Sequence, residues 1–92
     1  MEKEIEKYLD YCRFERAVKE RSLRSYEVSL RRVREYMQAN ALQLNEQSIR
    51  GFFRELMQRQ MNPNTLELRH KHVRGFLNWL VKRDGSYQPA VM

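Results

Sequence analysis

The residues best suited to chemistry here are small hydroxyls and cations, set out twice in the same way. Val18–Tyr26, VKERSLRSY, puts Ser22 at the expected start of a helix. Asn62–Trp79, NPNTLELRHKHVRGFLNW, does the same with Thr65. Basic residues follow each hydroxyl on a helical spacing. Such a set suits the holding of an anion, not a reaction.

The charge points the same way. The net charge is +6, unevenly spread. Residues 1–20 hold five basic and six acidic side chains, a net of −1, whereas residues 21–92 hold thirteen and six, a net of +7. An isoelectric point near 9.8 with the excess in one part of the chain indicates a polyanionic partner. The plain alternative is a solvated basic surface.

Reactive constellations are missing. His70 and His72 are the only histidines, and residues two apart on a helix point to different faces. With one cysteine and no HExxH or CxxC spacing, no metal site is expected. Gly51, Gly75 and Gly85 are isolated, so there is no glycine-rich phosphate loop. No nucleophile is set beside a base. Neither a cofactor nor a small-molecule ligand is expected. The lone Cys12 suits a reducing compartment, and the start, MEKEIEKYLD, lacks the apolar core of a signal peptide. No run of about 18 apolar residues exists, so the expected location is the cytoplasm, without a membrane partner.

Four helices must position these residues. With 92 residues, three glycines and two prolines, the chain suits one helical domain. The first helix is predicted from about Lys3 to Ala17, with Ile5, Leu9 and Cys12 on one face. The second runs from about Leu23 to Ala39, capped by Ser22 and striped by Leu23, Tyr26, Leu30, Val33 and Met37. Asn40 would end it. The third runs from about Glu46 to Gln60 behind Asn45, with Ile49, Phe52, Phe53 and Leu56 inward. The fourth runs from about Asn64 to Lys82, with Pro63 in its first turn and Asn62 as cap. At 100° steps, Leu66, His70, Val73, Leu77 and Leu80 form its core side. Asn64, Leu68, Lys71, His72 and Gly75 form its outer side. Leu9, Tyr26, Leu30, Val33, Ile49, Phe53, Leu56, Val73, Leu77 and Leu80 are the expected core.

The order of these signals carries a resemblance. Val18, Ser22, Leu23 and Tyr26 precede the arginine-rich run Ser29–Tyr36. IRGFFREL follows at Ile49–Leu56, then NPNT at Asn62–Thr65, GFLNWL at Gly75–Leu80, and Pro89–Ala90. Together they resemble the N-terminal core-binding domain of tyrosine recombinases (phage-type integrases). Ser22 stands where threonine is commoner, Glu67 and Leu68 where basic or polar residues are frequent, and Gln88 where asparagine is usual.

The resemblance implies an all-α fold, a four-helix SAM-like orthogonal bundle over residues 1–84. Residues 85–92 would be a linker toward a catalytic domain that this chain does not contain. The chain itself would then be no enzyme, and its five tyrosines would be structural. The implied partners are double-stranded DNA and, in a full-length enzyme on DNA, other recombinase protomers. The second and fourth helices would approach the major groove, their N-terminal turns meeting phosphates. Ser22 and Thr65 would add hydroxyl donors, and Arg24 and Asn64 would reach the backbone. Arg31, Arg32, Arg69 and Lys71 would supply charge. Ser25, Leu68 and His72 would face base edges, Leu68 meeting at most a thymine methyl. Two other readings compete: a helical protein-interaction domain with no DNA role, and a helix-turn-helix regulator. The long Asn40–Asn45 connection disfavours the second.

Overall fold

The computed structural model describes residues 2–84. The expectations for Tyr87, Pro89–Ala90 and the rest of 85–92 lie outside them. Four helices follow one another: α1 (Glu2–Phe14), α2 (Glu20–Ala39), α3 (Glu46–Gln58) and α4 (Pro63–Asp84), and no strand occurs among the described residues. None of these helices is long and apolar enough to cross a membrane.

α2 is the central element. It packs on α1, α3 and α4, while α1 also packs on α4. Its stripe of Leu23, Leu30, Val33 and Met37 is buried, as its spacing predicts. From α3 come Phe52, Phe53 and Leu56, and from α4 Val73, Phe76, Leu77 and Leu80. α1 contributes Ile5, Tyr8 and Cys12. Tyr8 lies between Phe76 and Trp79, with its ring 5.5 Å from each. Leu9, Tyr26 and Ile49, expected in the core, sit half-buried at its edge.

The ends of the helices differ from expectation in one important place. α2 begins with Lys19 as its N-cap, which makes no side-chain capping bond, and Leu23 N–H reaches back to Lys19 O at 3.0 Å. Ser22 is therefore inside the first turn, not the cap. The chain turns early because α1 stops at Phe14 instead of Ala17. Ala17 takes a left-handed φ of 54°, and Val18 N–H bonds to Cys12 O at 2.9 Å. α3 starts as expected, with Asn45 Oδ1 accepting from Ser48 N–H at 2.8 Å. Before α4, Asn62 Oδ1 accepts from Asn64 N–H at 2.8 Å. Thr65 thus follows a turn capped by another residue.

Asn40 closes α2, its side-chain Nδ2 donating to Tyr36 O at 2.9 Å. Beyond it the backbone bonds of Ala41 to Gln38 O and Leu42 to Met37 O complete a Schellman turn. α3 ends the same way, through Gln60 to Met57 O and Met61 to Leu56 O.

Candidate nucleic-acid interface

The two histidines exchange the places expected of them. His72 is buried at 7% exposure, whereas His70 is exposed, stacked on Phe53 at 3.7 Å between ring centres. The wheel assumed that α4 buries one side. In the fold α1 and α2 both pack on α4, Ser29 and Tyr26 of α2 meeting His72, while Phe53 of α3 stacks on His70.

Beneath His72 lies a chain of three polar groups. Arg69 Nη1 donates to Ser29 Oγ at 3.1 Å, and Ser29 Oγ is 2.7 Å from His72 Nδ1. A guanidinium only donates. The serine oxygen accepts from Arg69 and keeps its own proton to donate. When that proton goes to His72 Nδ1, Nδ1 is the acceptor of the imidazole and the ring hydrogen sits on Nε2. Burial, and then the charge of Arg69, hold His72 below its ordinary pKa, which keeps the ring neutral. The ring of Tyr26 lies 4.6 Å away and fixes it from α2. Ser29 is itself only 1% exposed, so this chain is an interior one.

His72 forms part of the wall of a cleft of about 420 Å³ between the end of α1, the first turns of α2, and α4. The same cleft gathers Ser22, Ser25, Leu68 and Lys71. Five expected site residues from two distant segments thus meet in one place. Arg16, just past α1, joins them, and no lining residue is acidic. Tyr8 also reaches the cleft. Burial first, and Cys12 second, push its phenol well above the usual range, so it stays protonated.

The remaining expected residues fall elsewhere. Arg32 and Arg69 line a second hollow, beside Tyr36 and Arg59. Arg24 and Asn64 are exposed, Thr65 is half-buried, and none of the three lines either hollow. Arg31 is exposed and paired with Glu27. Lys71 has Glu67 4.0 Å away, both well exposed. Among the described residues, Arg16, Arg24 and Arg32 have no carboxylate within ion-pair distance.

Two residues escaped the sequence reading. Ser29 left a signal, since it is a hydroxyl beside Leu30 on the buried side of α2 and had to find a polar partner. Arg16 left none, because the first helix was expected to continue through it.

A second concave face lies between α3 and α4. Ile49, Phe53, Met57, Val73 and Leu77 floor it, and Arg54, Arg74 and the Arg50–Glu46 pair rim it. Met57 is 64% exposed there.

The sequence profile of the phage integrase N-terminal SAM-like domain matches residues 5–84. No curated protein and no solved structure matches the chain.

Proposed function

This chain belongs to the phage integrase N-terminal SAM-like domain family, and on that premise we propose that it holds duplex DNA for a recombinase through α2 and α4. One observation carries the reading. The segments carrying Ser22 and Lys71 are far apart in sequence, yet they meet in a cleft lined by cations, hydroxyls and no acid. A polyanion is the partner such a surface attracts. Arg24 and Arg32 would add phosphate contacts on the exposed side of α2, Asn64 and Thr65 at the start of α4. Much of the affinity would come from counterions that the phosphates release.

In this reading the domain positions DNA and cuts none. Strand cleavage would fall to a catalytic segment beyond a linker at 85–92, and other protomers of the recombinase would complete the grip. A fluorescence-anisotropy titration of a labelled duplex at several salt concentrations tests it. Binding should weaken linearly as log salt rises. Absence of binding at low salt removes the DNA reading.

The groove between α3 and α4 favours a second reading, docking of a protein partner. Its apolar floor and arginine rim would suit an acidic amphipathic helix. It occupies the side of α4 opposite the cleft, so both uses can coexist.

A further inference from the structure

The cleft holds more than the family resemblance required of it, and it is built partly from α1. Arg16 stands where α1 has just ended, and its Nη1 lies 4.0 Å from Cys12 Sγ, a contact that folds it back over the helix. Lys71 lines the same cleft from α4. His72 lines it too; its Nδ1 is paired with Ser29 and its Nε2 has no hydrogen-bond partner among the described residues. A ring that is 93% covered, and wedged by Tyr26, has little freedom to turn.

We infer that this cleft seats one phosphate of the DNA backbone, held by Arg16 and Lys71 and by the Nε2–H of His72. The inference rests on the DNA-holding reading. A phosphodiester has two non-bridging oxygens that accept and nothing that donates. The cleft matches it with two cations and a donor, and no carboxylate lines it, Glu67 standing outside the lining beside Lys71. Tyr26 and Leu68 give the attached sugar an apolar surface. The leader helix thereby becomes part of the grip on DNA.

The role of Ser29 and Arg69 follows from the same geometry. Both sit behind His72 and act through it as positioning residues. Arg69 donates to the serine oxygen, which favours passing the serine proton to Nδ1 and leaving the ring hydrogen on Nε2, on the side toward the cleft. A neutral donor has a distinct signature. Loss of a cation reduces both the affinity and its salt dependence. Loss of an uncharged hydrogen bond reduces the affinity and leaves the salt dependence alone.

The test uses the 92-residue chain and a labelled duplex, titrated at several salt concentrations. Arg16→Ala should weaken binding and lower the slope of log K against log salt by about 0.9. His72→Phe should weaken binding by about tenfold, as expected for a hydrogen bond to a charged group, at unchanged slope. His72→Gln, which keeps a donor, should recover part of the loss, and Lys7→Ala on the exposed side of α1 should do nothing. Single uncharged methylphosphonate linkages are then placed along the duplex. One position should cost the unmodified protein more affinity than it costs Arg16→Ala, in which Lys71 and His72 remain, and that non-additivity places the phosphate in the cleft. Circular dichroism checks each fold, and if His72→Phe fails to fold, Arg16→Ala and the linkage scan decide. Normal affinity and slope for Arg16→Ala, or additive losses at every linkage, overturn the seat while leaving DNA binding intact. Failure of the unmodified protein to bind any duplex overturns both.

Discussion

A Cβ on Gly75 would lie 2.8 Å from the phenolic oxygen of Tyr8. Tyr8 is 2% exposed and its ring packs against both Phe76 and Trp79, which limits how far it can shift. The glycine lets α1 approach α4 closely enough to form one side of the cleft. Gly75→Ala should therefore destabilise the domain. Overpacking costs about 1–3 kcal/mol, and the helix recovers about 0.5–1 kcal/mol by losing a glycine. A net loss of about 1–2 kcal/mol in urea unfolding is expected. In a Tyr8→Phe background the same change should be neutral or stabilising. Equal losses in both backgrounds would show that the hydroxyl is not the obstacle.

Gly51 gives the contrast. Its Cβ would meet Tyr36 Oη at 2.7 Å, a shorter distance, yet Tyr36 is only half-buried and can swing outward from Phe52. Gly51→Ala should fall within about 0.5 kcal/mol of neutral, because helix propensity offsets the shift. The pair tests whether burial of the obstacle, more than its distance, sets the cost.

Much of this fold was legible because the stripes were strong. Leu30, Val33 and Phe53 lie where helical periodicity puts them, and Asn45 and Asn62 cap where their side chains allow. The errors on α4 share one cause: a wheel gives directions around one helix and no information about how many neighbours surround it. α4 is covered on more than one side, so His72 went inward. Ser22 misled in another way. A serine suits the third position of a helix as well as the cap, and only the early turn at Val18 decides between them. The cleft itself needed three elements together, and no local pattern carries that.

The turns offer a stability gain. Gln60 takes φ 55° at the end of α3, in the position of a Schellman turn that glycine usually fills. A left-handed non-glycine residue costs about 1–2 kcal/mol. Glycine removes that strain and adds freedom to the unfolded chain, worth about 0.5–1 kcal/mol the other way. Gln60→Gly should raise stability by about 0.5–1 kcal/mol in chemical denaturation. A loss would mean that the Gln60 side chain contributes contacts that outweigh its backbone strain.

Stability should also depend on pH through His72. Its folded pKa is depressed, by burial and then by Arg69, and the other charged groups lining its cleft, Arg16 and Lys71, are cations as well. No neighbour there favours the imidazolium. The unfolded chain takes up a proton near the ordinary value of about 6.5, and the folded chain resists until lower pH. The stabilisation is thus complete above that value and is lost as pH falls toward the folded pKa. His70 shifts in the same direction, through burial and Arg74. Urea midpoints should fall between pH 7.5 and pH 5, and His72→Gln should flatten part of that fall. An undiminished slope in His72→Gln would assign the effect to His70 and the carboxylates.

The last expectation concerns the acid beside the cleft. Glu67 lies 4.0 Å from Lys71, both about 70% exposed, and a surface pair of that kind contributes little to folding. Its effect on DNA should be larger than its effect on stability, because a phosphate seated near Lys71 also feels the carboxylate. Two charges some 6–8 Å apart in water interact by about 0.5–0.7 kcal/mol. Glu67→Gln should therefore tighten duplex binding by about two- to threefold at low salt, with no measurable change in unfolding. The gain should shrink as salt rises, since the Debye length falls to about 8 Å at physiological ionic strength. Lys71→Ala should act oppositely, weakening binding and lowering the salt slope by about one. In Lys71→Ala, Glu67→Gln should still help, because it relieves repulsion of the phosphate directly. If Glu67→Gln leaves binding unchanged at low salt, the DNA passes away from the start of α4, and the clamp on that helix fails as a reading of the surface.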